Sequence, residues 1–290
     1  MLEFSDSVGR NESIKAQIDY VSSPSDSLSI SYKDRNADAF EVKRYDVEIR
    51  NGRLMRPCPT IEREGFMLAT HTSEVVQSRR SELIEENTLP RDDMAAINSD
   101  YANELIPLIK SLTGARDIIP QFGTTQVRFS NRAAHRSWMG TSAFAHMDFA
   151  STQVEKLIEQ TIALTGVEIA PYNRQMLIQT WRVITDPPQD MPLTICDGRT
   201  VAGNMMIPLD FHGPEGSRNE LVQSRVCRYD ASHQWSYFPA MTSDEVLIFK
   251  GFDSACPEAM NAMHTAFDDP TVVDAIPRGS IECRFIAFFD

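Results

Sequence analysis

The sequence lacks the features that mark membrane, secreted and several common enzyme classes. No apolar stretch of its 290 residues approaches the roughly 20 needed to cross a bilayer. Residues 1–19 are mixed polar and acidic, where a secretory signal would place a basic segment before an apolar one. No GxSxG, P-loop or GxGxxG motif occurs, so serine hydrolysis and dinucleotide binding have no support. We therefore expect a cytoplasmic protein that does not bind membranes.

Basic residues and cysteines are also sparse. Lys and Arg number 28 against 41 Asp and Glu, which gives a formal net charge of −13. Such a balance repels a phosphate backbone, so we do not expect nucleic acid as a partner. The five cysteines are widely spaced and include no CxxC pair. This spacing argues against a disulfide framework or a thiolate zinc site and fits a reducing compartment.

What the chain does contain is many short strand patterns separated by turn signals. Strands are predicted early in the chain at 27–32, 42–49 and 66–70, and helices at 81–86, 99–113 and 152–165. Many short strands with Gly and Pro turns are typical of a sandwich or barrel. We therefore predict a mainly β fold with flanking helices in one domain, 1–290. Residues 1–115 would form strands and helices that pack on a barrel core of residues 116–290.

His146 and Asp148 form a pattern that could hold a metal ion. Residues i and i+2 of a strand point to the same face, about 6–7 Å apart along the chain. A histidine from a distant strand would complete a facial triad that leaves positions open on iron, which suits oxygen chemistry. His264 is the candidate for that third ligand. The HxD spacing alone is common, and a surface His–Asp pair is the alternative.

Arg278 and Ser280 form a second pair at i and i+2, shortly after His264. A guanidinium fork binds a carboxylate at two points, and a neighbouring hydroxyl adds one donor. Such a pair could hold the distal carboxylate of 2-oxoglutarate. Arg182 is a further candidate for contact with this anion, and an ion pair with Asp186 is its structural alternative.

The order of these motifs resembles the iron(II)/2-oxoglutarate-dependent oxygenases, and a longer series of segments narrows the resemblance. The series runs, in order, through Glu64-Gly65-Phe66, Leu112-Thr113-Gly114-Ala115, Gln179-Thr180-Trp181-Arg182, Pro192-Leu193, Cys196-Asp197, His233-Gln234-Trp235, Asp244-Glu245-Val246-Leu247, Lys250, Asp253-Ser254, His264, Phe267, Asp268-Asp269-Pro270, Arg278, Ser280-Ile281-Glu282 and Arg284. Residues 40–290 are in this respect similar to the CmcJ/NvfI oxidoreductase family, also called the AsaB hydroxylase/desaturase family.

The resemblance implies a double-stranded β-helix, which is a jelly-roll, cupin-like barrel. It implies Fe(II) bound by His146, Asp148 and His264, with 2-oxoglutarate and O2 as co-substrates. The substrate would be an apolar natural product of secondary metabolism, similar to a terpenoid or a fungal meroterpenoid. Hydrogen-atom abstraction would lead to hydroxylation, desaturation, rearrangement or endoperoxide formation, and endoperoxide formation is the specific expectation. The resemblance also suggests a homodimer.

Apolar residues around the HxD pattern are candidate substrate contacts. They are Trp138, Met139, Phe144, Met147 and Phe149, and Trp181 joins them from a later strand. Ordinary barrel core is the alternative for each. Family members commonly have N-x-W-R-P and His-x-Asp-Tyr, whereas this chain has Val183 at the proline position and Phe149 at the tyrosine position. These departures concern the substrate and the reaction outcome, because the metal-binding set is intact.

Two other functions stay open. One is a metal-dependent jelly-roll isomerase or hydrolase that works without 2-oxoglutarate, and the Arg278-x-Ser280 pair counts against it. The other is a non-catalytic barrel that binds a ligand, and the intact metal-binding set counts against that.

Overall fold

The strands of the protein form two sheets, in a computed structural model that describes residues 11–31, 40–84, 91–121, 125–130, 141–212, 221–257 and 261–290. The helices are α1 (Glu74–Ile84), α2 (Arg91–Thr113) and α3 (Ser151–Thr165). The strands are β1 (Ser13–Val21), β2 (Leu28–Ser31), β3 (Val42–Asn51), β4 (Phe66–Thr70), β5 (Asp117–Pro120), β6 (Gln126–Phe129), β7 (His146–Met147), β8 (Arg174–Val183), β9 (Leu193–Cys196), β10 (Met206–His212), β11 (Leu221–Cys227), β12 (Trp235–Tyr237), β13 (Glu245–Asp253), β14 (His264–Ala266) and β15 (Gly279–Phe289).

The order of strands in both sheets joins distant parts of the chain. The larger sheet runs β1-β3-β12-β9-β14-β7-β11-β10-β2, and the smaller runs β4-β13-β8-β15-β5 with β6 also paired to β15. Most neighbours are antiparallel and are not consecutive in the sequence, as in a jelly roll. The prediction of a mainly β fold with flanking helices is confirmed.

The β8–β15 pair separates two layers of side chains. Successive residues of a strand point to opposite faces, so each of these strands contributes to both layers. Ile178 and Ile281 belong to an apolar core that contains Tyr101 and other buried residues of α2. Trp181 faces the other way and shares a second core with Ile195 of the nine-stranded sheet. The second layer therefore lies between the two sheets.

The helices begin earlier than the sequence predicts. The described part of the predicted helix 81–86 is the end of α1, which runs from Glu74 to Ile84, and 99–113 is the later part of α2, which starts at Arg91. The predicted ends of the later helices agree better, because Gly114 and Gly166 have the left-handed φ values of 71° and 64° that end a helix.

The strand β1 is not among the strands that the sequence predicted, although its pattern is regular. Ile14, Ala16, Ile18 and Tyr20 are buried, and Lys15 and Gln17 between them are exposed. β1 and β3 pair along nine residues and extend the nine-stranded sheet, and β4 extends the other sheet. The chain before residue 115 thus supplies strands to both sheets as well as α1 and α2. No helix in the described part of the chain is long and apolar enough to span a membrane.

Candidate metal centre

Three side chains that could hold a metal ion meet on the nine-stranded sheet where it faces β15. His146 of β7 and His264 of β14 are direct partners across an antiparallel pair. Asp148 lies just past the end of β7. One candidate ligand atom from each residue lies within 4.8 Å of the other two, and no second group of this kind occurs in the described residues. The predicted trio is therefore brought together by the fold.

Hydrogen bonds set the orientation of both histidine rings. The Nδ1 of His146 lies 2.9 Å from the carbonyl oxygen of Phe144, and the Nδ1 of His264 lies 3.3 Å from that of Ala262. A carbonyl only accepts, so each Nδ1 carries a proton, and Nε2 is the nitrogen that offers a lone pair when the ring is neutral. Both Nε2 atoms point to Asp148 Oδ1, at 3.5 Å and 3.9 Å.

Burial favours the metal-binding form of His264. Desolvation, with His146 beside it, lowers the pKa of His264 to about 4, so its ring is neutral at pH 7. Two imidazole nitrogens and one carboxylate oxygen that converge on one point are the donor set of a facial triad. The residues present therefore fit an Fe(II) ion.

Arg284 of β15 is a residue of the site to which the sequence assigned no role. Its Nη2 and Nε donate to Asp148 Oδ2 at 2.5 Å and 3.2 Å. Burial alone would raise the pKa of Asp148, but the positive charge of Arg284 beside it holds that pKa well below its usual range. The carboxylate is thus ionised. The sequence does contain a signal for Arg284: it lies at even spacing from Arg278, Ser280 and Glu282, so all four face the same side of a strand.

The wall next to Arg284 is polar. Gln179 Oε1 accepts from Arg284 Nε at 3.3 Å, and Glu282 Oε1 accepts from Arg284 Nη2 at 3.3 Å. The same Glu282 oxygen accepts from Arg128 Nη2 of β6 at 3.0 Å. A row of alternating charges therefore runs from β6 across β15 to Asp148.

Arg278 is a buried cation with unused hydrogen-bonding capacity. It is 2% exposed, and its guanidinium lies 5.3 Å from the ring centroid of Trp181. Its Nη1 donates to the carbonyl of Met191 at 2.5 Å, whereas its buried Nε has no hydrogen-bond partner among the described residues. Burial lowers the pKa of Arg278 to about 10, so it stays charged at pH 7. A carboxylate ligand would satisfy both the charge and the Nε–H group.

The surroundings of Arg278 are mostly apolar. It lines a pocket together with Trp181, Val183, Leu193, Tyr237, Phe238 and Met241. Ser280 lies on the same face of β15, and its hydroxyl makes a long 3.4 Å hydrogen bond to the carbonyl of Arg128. The pocket walls exclude water from the guanidinium, which strengthens its attraction for an anion.

Arg182 does not face this cavity, which corrects its expected contact with the co-substrate. Its Nε donates to Tyr101 Oη of α2 at 3.0 Å, and its Nη1 donates to the carbonyl of His71 at 2.6 Å. Strand alternation places Arg182 and Trp181 on opposite faces of β8, so only Trp181 points between the sheets. The alternative pairing with Asp186 is also wrong, because Asp186 pairs with Arg80 at 2.8 Å.

Of the expected substrate contacts, Phe144 and Trp181 have suitable positions. The Phe144 ring is half-buried, with its centroid 5.4 Å from that of His146. Met147 points away from the site, because strand alternation puts it opposite His146, and it packs in the core that contains Tyr20 and Trp235.

Phe149 lies beneath the site, where its ring centroid is 6.0 Å from the Arg284 guanidinium carbon. It shares an apolar core with Leu177, Phe252 and Ile286, so its ring separates that core from the charged residues of the site. Trp138 and Met139 lie outside the described residues.

The chain is similar to several known oxidoreductases. The family model described as "Oxidoreductase/YMDC permease-like domain" matches residues 18–288. The Fe(II)/2-oxoglutarate-dependent dioxygenase nvfI of Aspergillus novofumigatus is 28% identical over 229 residues, which cover 78% of this chain and 80% of that protein. Oxidoreductase clz16 of Cochliobolus lunatus is 23% identical over 286 residues, which cover 93% of this chain and 95% of its own.

A solved structure of the iron and alpha-ketoglutarate-dependent endoperoxidase NvfI superposes with a TM-score of 0.75 at 24% identity, over 96% of this chain and 98% of that one. The superposition confirms the predicted jelly-roll fold. The chain therefore belongs to this oxidoreductase family together with the NvfI-related dioxygenases, as the resemblance in its sequence predicted.

Proposed function

We propose that the protein is a non-haem Fe(II)/2-oxoglutarate-dependent dioxygenase of secondary metabolism that oxidises a small, largely apolar natural product. The observation that carries this proposal is the orientation of the triad. Both Nδ1 atoms are hydrogen-bonded to backbone carbonyls, so that both Nε2 atoms and Asp148 Oδ1 converge on one point. A surface His–Asp pair would not bring in a second, buried histidine with matching orientation.

Each residue of the site has a separate task. His146, Asp148 and His264 would hold Fe(II), and Arg278 with Ser280 would hold the distal carboxylate of 2-oxoglutarate. Bound iron and 2-oxoglutarate, with O2, supply the oxidising power to remove a hydrogen atom from an unreactive C–H bond. The protein contributes position and the exclusion of water. Phe249, with its ring centroid 4.9 Å from that of His264, and Phe149 below the site form apolar parts of that enclosure.

Phe144 and Trp181 are the proposed substrate contacts among the described residues. Phe144 is half-buried beside His146, and Trp181 faces the space between the sheets. Their aromatic faces suit a terpenoid or meroterpenoid skeleton. Endoperoxide formation is the favoured outcome, because the relative NvfI is named an endoperoxidase and the match to it covers most of both chains. Hydroxylation, desaturation and rearrangement are the other outcomes of the same initial hydrogen abstraction.

The first test is anaerobic addition of Fe(II) and then 2-oxoglutarate to the purified protein, followed by visible absorption. A keto acid that chelates iron gives a weak charge-transfer band. We expect this band in the natural protein, and we expect Arg278→Met to require a much higher 2-oxoglutarate concentration for it. Arg116→Met is the matched control, since Arg116 pairs with Asp117 and the terminal Asp290 at the surface.

Each result has a distinct consequence. Iron binding without the band would exclude 2-oxoglutarate and favour a metal-dependent jelly-roll enzyme of another type. Failure to bind iron would favour a ligand-binding barrel. His264→Ala should remove iron binding and turnover and leave the far-ultraviolet circular dichroism unchanged; retained turnover would remove His264 from the centre.

The reaction outcome needs a product assay. Candidate terpenoid and meroterpenoid substrates would be incubated with 18O2 and the products weighed by mass spectrometry. Gain of both atoms of one O2 molecule indicates an endoperoxide, gain of one oxygen a hydroxylation, and loss of two hydrogens a desaturation. If no terpenoid or meroterpenoid raises the rate of 2-oxoglutarate consumption above the rate without substrate, the proposed substrate class is contradicted.

A further inference from the structure

Asp148 is held differently from the other two residues of the triad. His146 and His264 sit in adjacent strands, and their backbones pair with each other and with Val226 and Ile195 on either side. β7 ends at Met147, so Asp148 lies beyond the ladder. The ladder therefore fixes the two histidines but does not fix the carboxylate.

Arg284 supplies the missing constraint from the opposite sheet. Its Nη2 at 2.5 Å and its Nε at 3.2 Å bind the same oxygen of Asp148, Oδ2. The other oxygen, Oδ1, is the one that faces both histidine Nε2 atoms. A guanidinium commonly binds a carboxylate through both oxygens. In this protein Arg284 binds only Oδ2 of the carboxylate, and Oδ1 points at the metal position.

Arg284 is itself fixed from behind. Gln179 Oε1 and Glu282 Oε1 accept from it at 3.3 Å each, and Phe149 lies against its guanidinium. Its rotamer is thus determined by β8 and β15 and not by Asp148 alone, as a positioning group requires.

We propose that Arg284 is a positioning residue for the metal centre: it occupies Asp148 Oδ2 so that Oδ1 alone is offered to the ion, as a single-oxygen ligand beside two histidines. This inference rests on the proposed metal centre. The inference adds that the geometry of the centre depends on Arg284 of the other sheet. This residue neither ligates the metal nor belongs to the Arg278-x-Ser280 pair.

The positive charge of Arg284 could also act against metal binding. A guanidinium near a dication repels it, so a purely electrostatic role predicts tighter metal binding when the charge is removed. A positioning role predicts weaker binding, since the carboxylate would lose its orientation. Partners of metal ligands typically contribute about 10- to 100-fold in metal affinity. The sign of the change therefore decides between the two roles.

The test measures the affinity of the full-length protein for Co(II) and, anaerobically, for Fe(II), first without 2-oxoglutarate and then during its addition. The variants are Arg284→Met, Arg284→Gln, which keeps a donor without the charge, and Arg284→Lys, which keeps the charge without the planar fork. Arg128→Met is the matched control, because Arg128 also faces the space between the sheets but hydrogen-bonds Glu282 in place of Asp148. Visible d–d absorption of the Co(II) form reports ligand geometry independently of affinity.

We expect Arg284→Met to weaken binding by about 10- to 100-fold and to change the Co(II) spectrum. Arg284→Gln and Arg284→Lys should recover part of the affinity, and Arg128→Met should stay within about threefold with an unchanged spectrum. Partial recovery by two folded variants keeps the test valid even if the methionine variant folds poorly.

Three results would overturn the inference. They are tighter or unchanged metal binding in all Arg284 variants, an equal loss in Arg128→Met, and unchanged metal binding with a selective loss of 2-oxoglutarate binding in Arg284→Met. The last result would make Arg284 a co-substrate ligand. Absence of metal binding by the natural protein would instead remove the proposed function along with the inference, so the two failures are distinguishable.

Discussion

Gly251 of β13 offers a stringent test of packing beneath the metal centre. A Cβ at this position would lie 2.7 Å and 3.0 Å from two ring carbons of Phe149 and 3.3 Å from Gln179 Nε2. Contacts below 3.0 Å require an atom to move, and the Phe149 ring is packed against Leu177 and Phe252. The backbone of Gly251 lies outside the left-handed region, so Gly251→Ala adds steric conflict alone. We expect it to lower the free energy of unfolding by about 1–3 kcal/mol.

A double-mutant cycle checks this cause. Phe149→Ala alone should cost about 3–5 kcal/mol by leaving a cavity. In the double variant, the methyl group added at position 251 enters the space that the ring has left, so the combined loss should fall short of the sum by about 1–2 kcal/mol. Urea unfolding of the metal-free protein measures all three variants. A Gly251→Ala protein as stable as the parent, or strict additivity, would refute the packing described for Phe149.

Three further predictions concern groups away from the centre. Asp253→Asn should lower the free energy of unfolding in urea by about 3–5 kcal/mol, because it leaves the fully buried Lys250, 3.0 Å away, without its counter-charge. A loss below about 1 kcal/mol would contradict a buried ion pair. Burial lowers the pKa of His233, whose Nδ1 lies 3.0 Å from Tyr20 Oη. The unfolded chain therefore binds the extra proton first, so this contribution to stability is complete above pH 6.5 and is lost as pH falls below it. His233→Gln should flatten that part of the stability–pH curve, and an unchanged slope would exclude His233 as its source. Cys58 is exposed and three other thiols are buried, so a thiol reagent should modify Cys58 first in the native protein, as peptide mass mapping would show.

The parts of the site that the sequence predicts are those that follow from local periodicity. His146 and Asp148 are on one face because side chains alternate along an extended chain. The same rule puts Met147 on the opposite face, and it allows only one of Trp181 and Arg182 to face the cavity; which of the two does so depends on the packing of β8 against α2. The strand β1 was equally accessible, since Ile14 to Tyr20 alternate regularly.

Other features depend on pairing between distant segments and have no local signal. His264 meets His146 only because β14 and β7 become neighbours in the nine-stranded sheet. The role of Arg284 depends on the distance between two sheets, which no spacing along the chain encodes. The order of motifs predicted His264 through the family resemblance, but that resemblance did not extend to contacts between non-ligand residues.

The three residues of the triad thus depend on two different parts of the fold. Hydrogen bonds within the nine-stranded sheet determine how close the two histidines are, and an ion pair to the six-stranded sheet determines where the carboxylate points. All three donor residues belong to the nine-stranded sheet or its continuation, but Asp148 is oriented by Arg284 of the six-stranded sheet. A metal that binds all three residues therefore favours the docked arrangement of both sheets, because its binding free energy is added to the folded state only. On this reasoning the stability of the barrel and the affinity of the centre are linked through the Asp148–Arg284 contact, and a change that loosens the packing of β15 against β7 should weaken both.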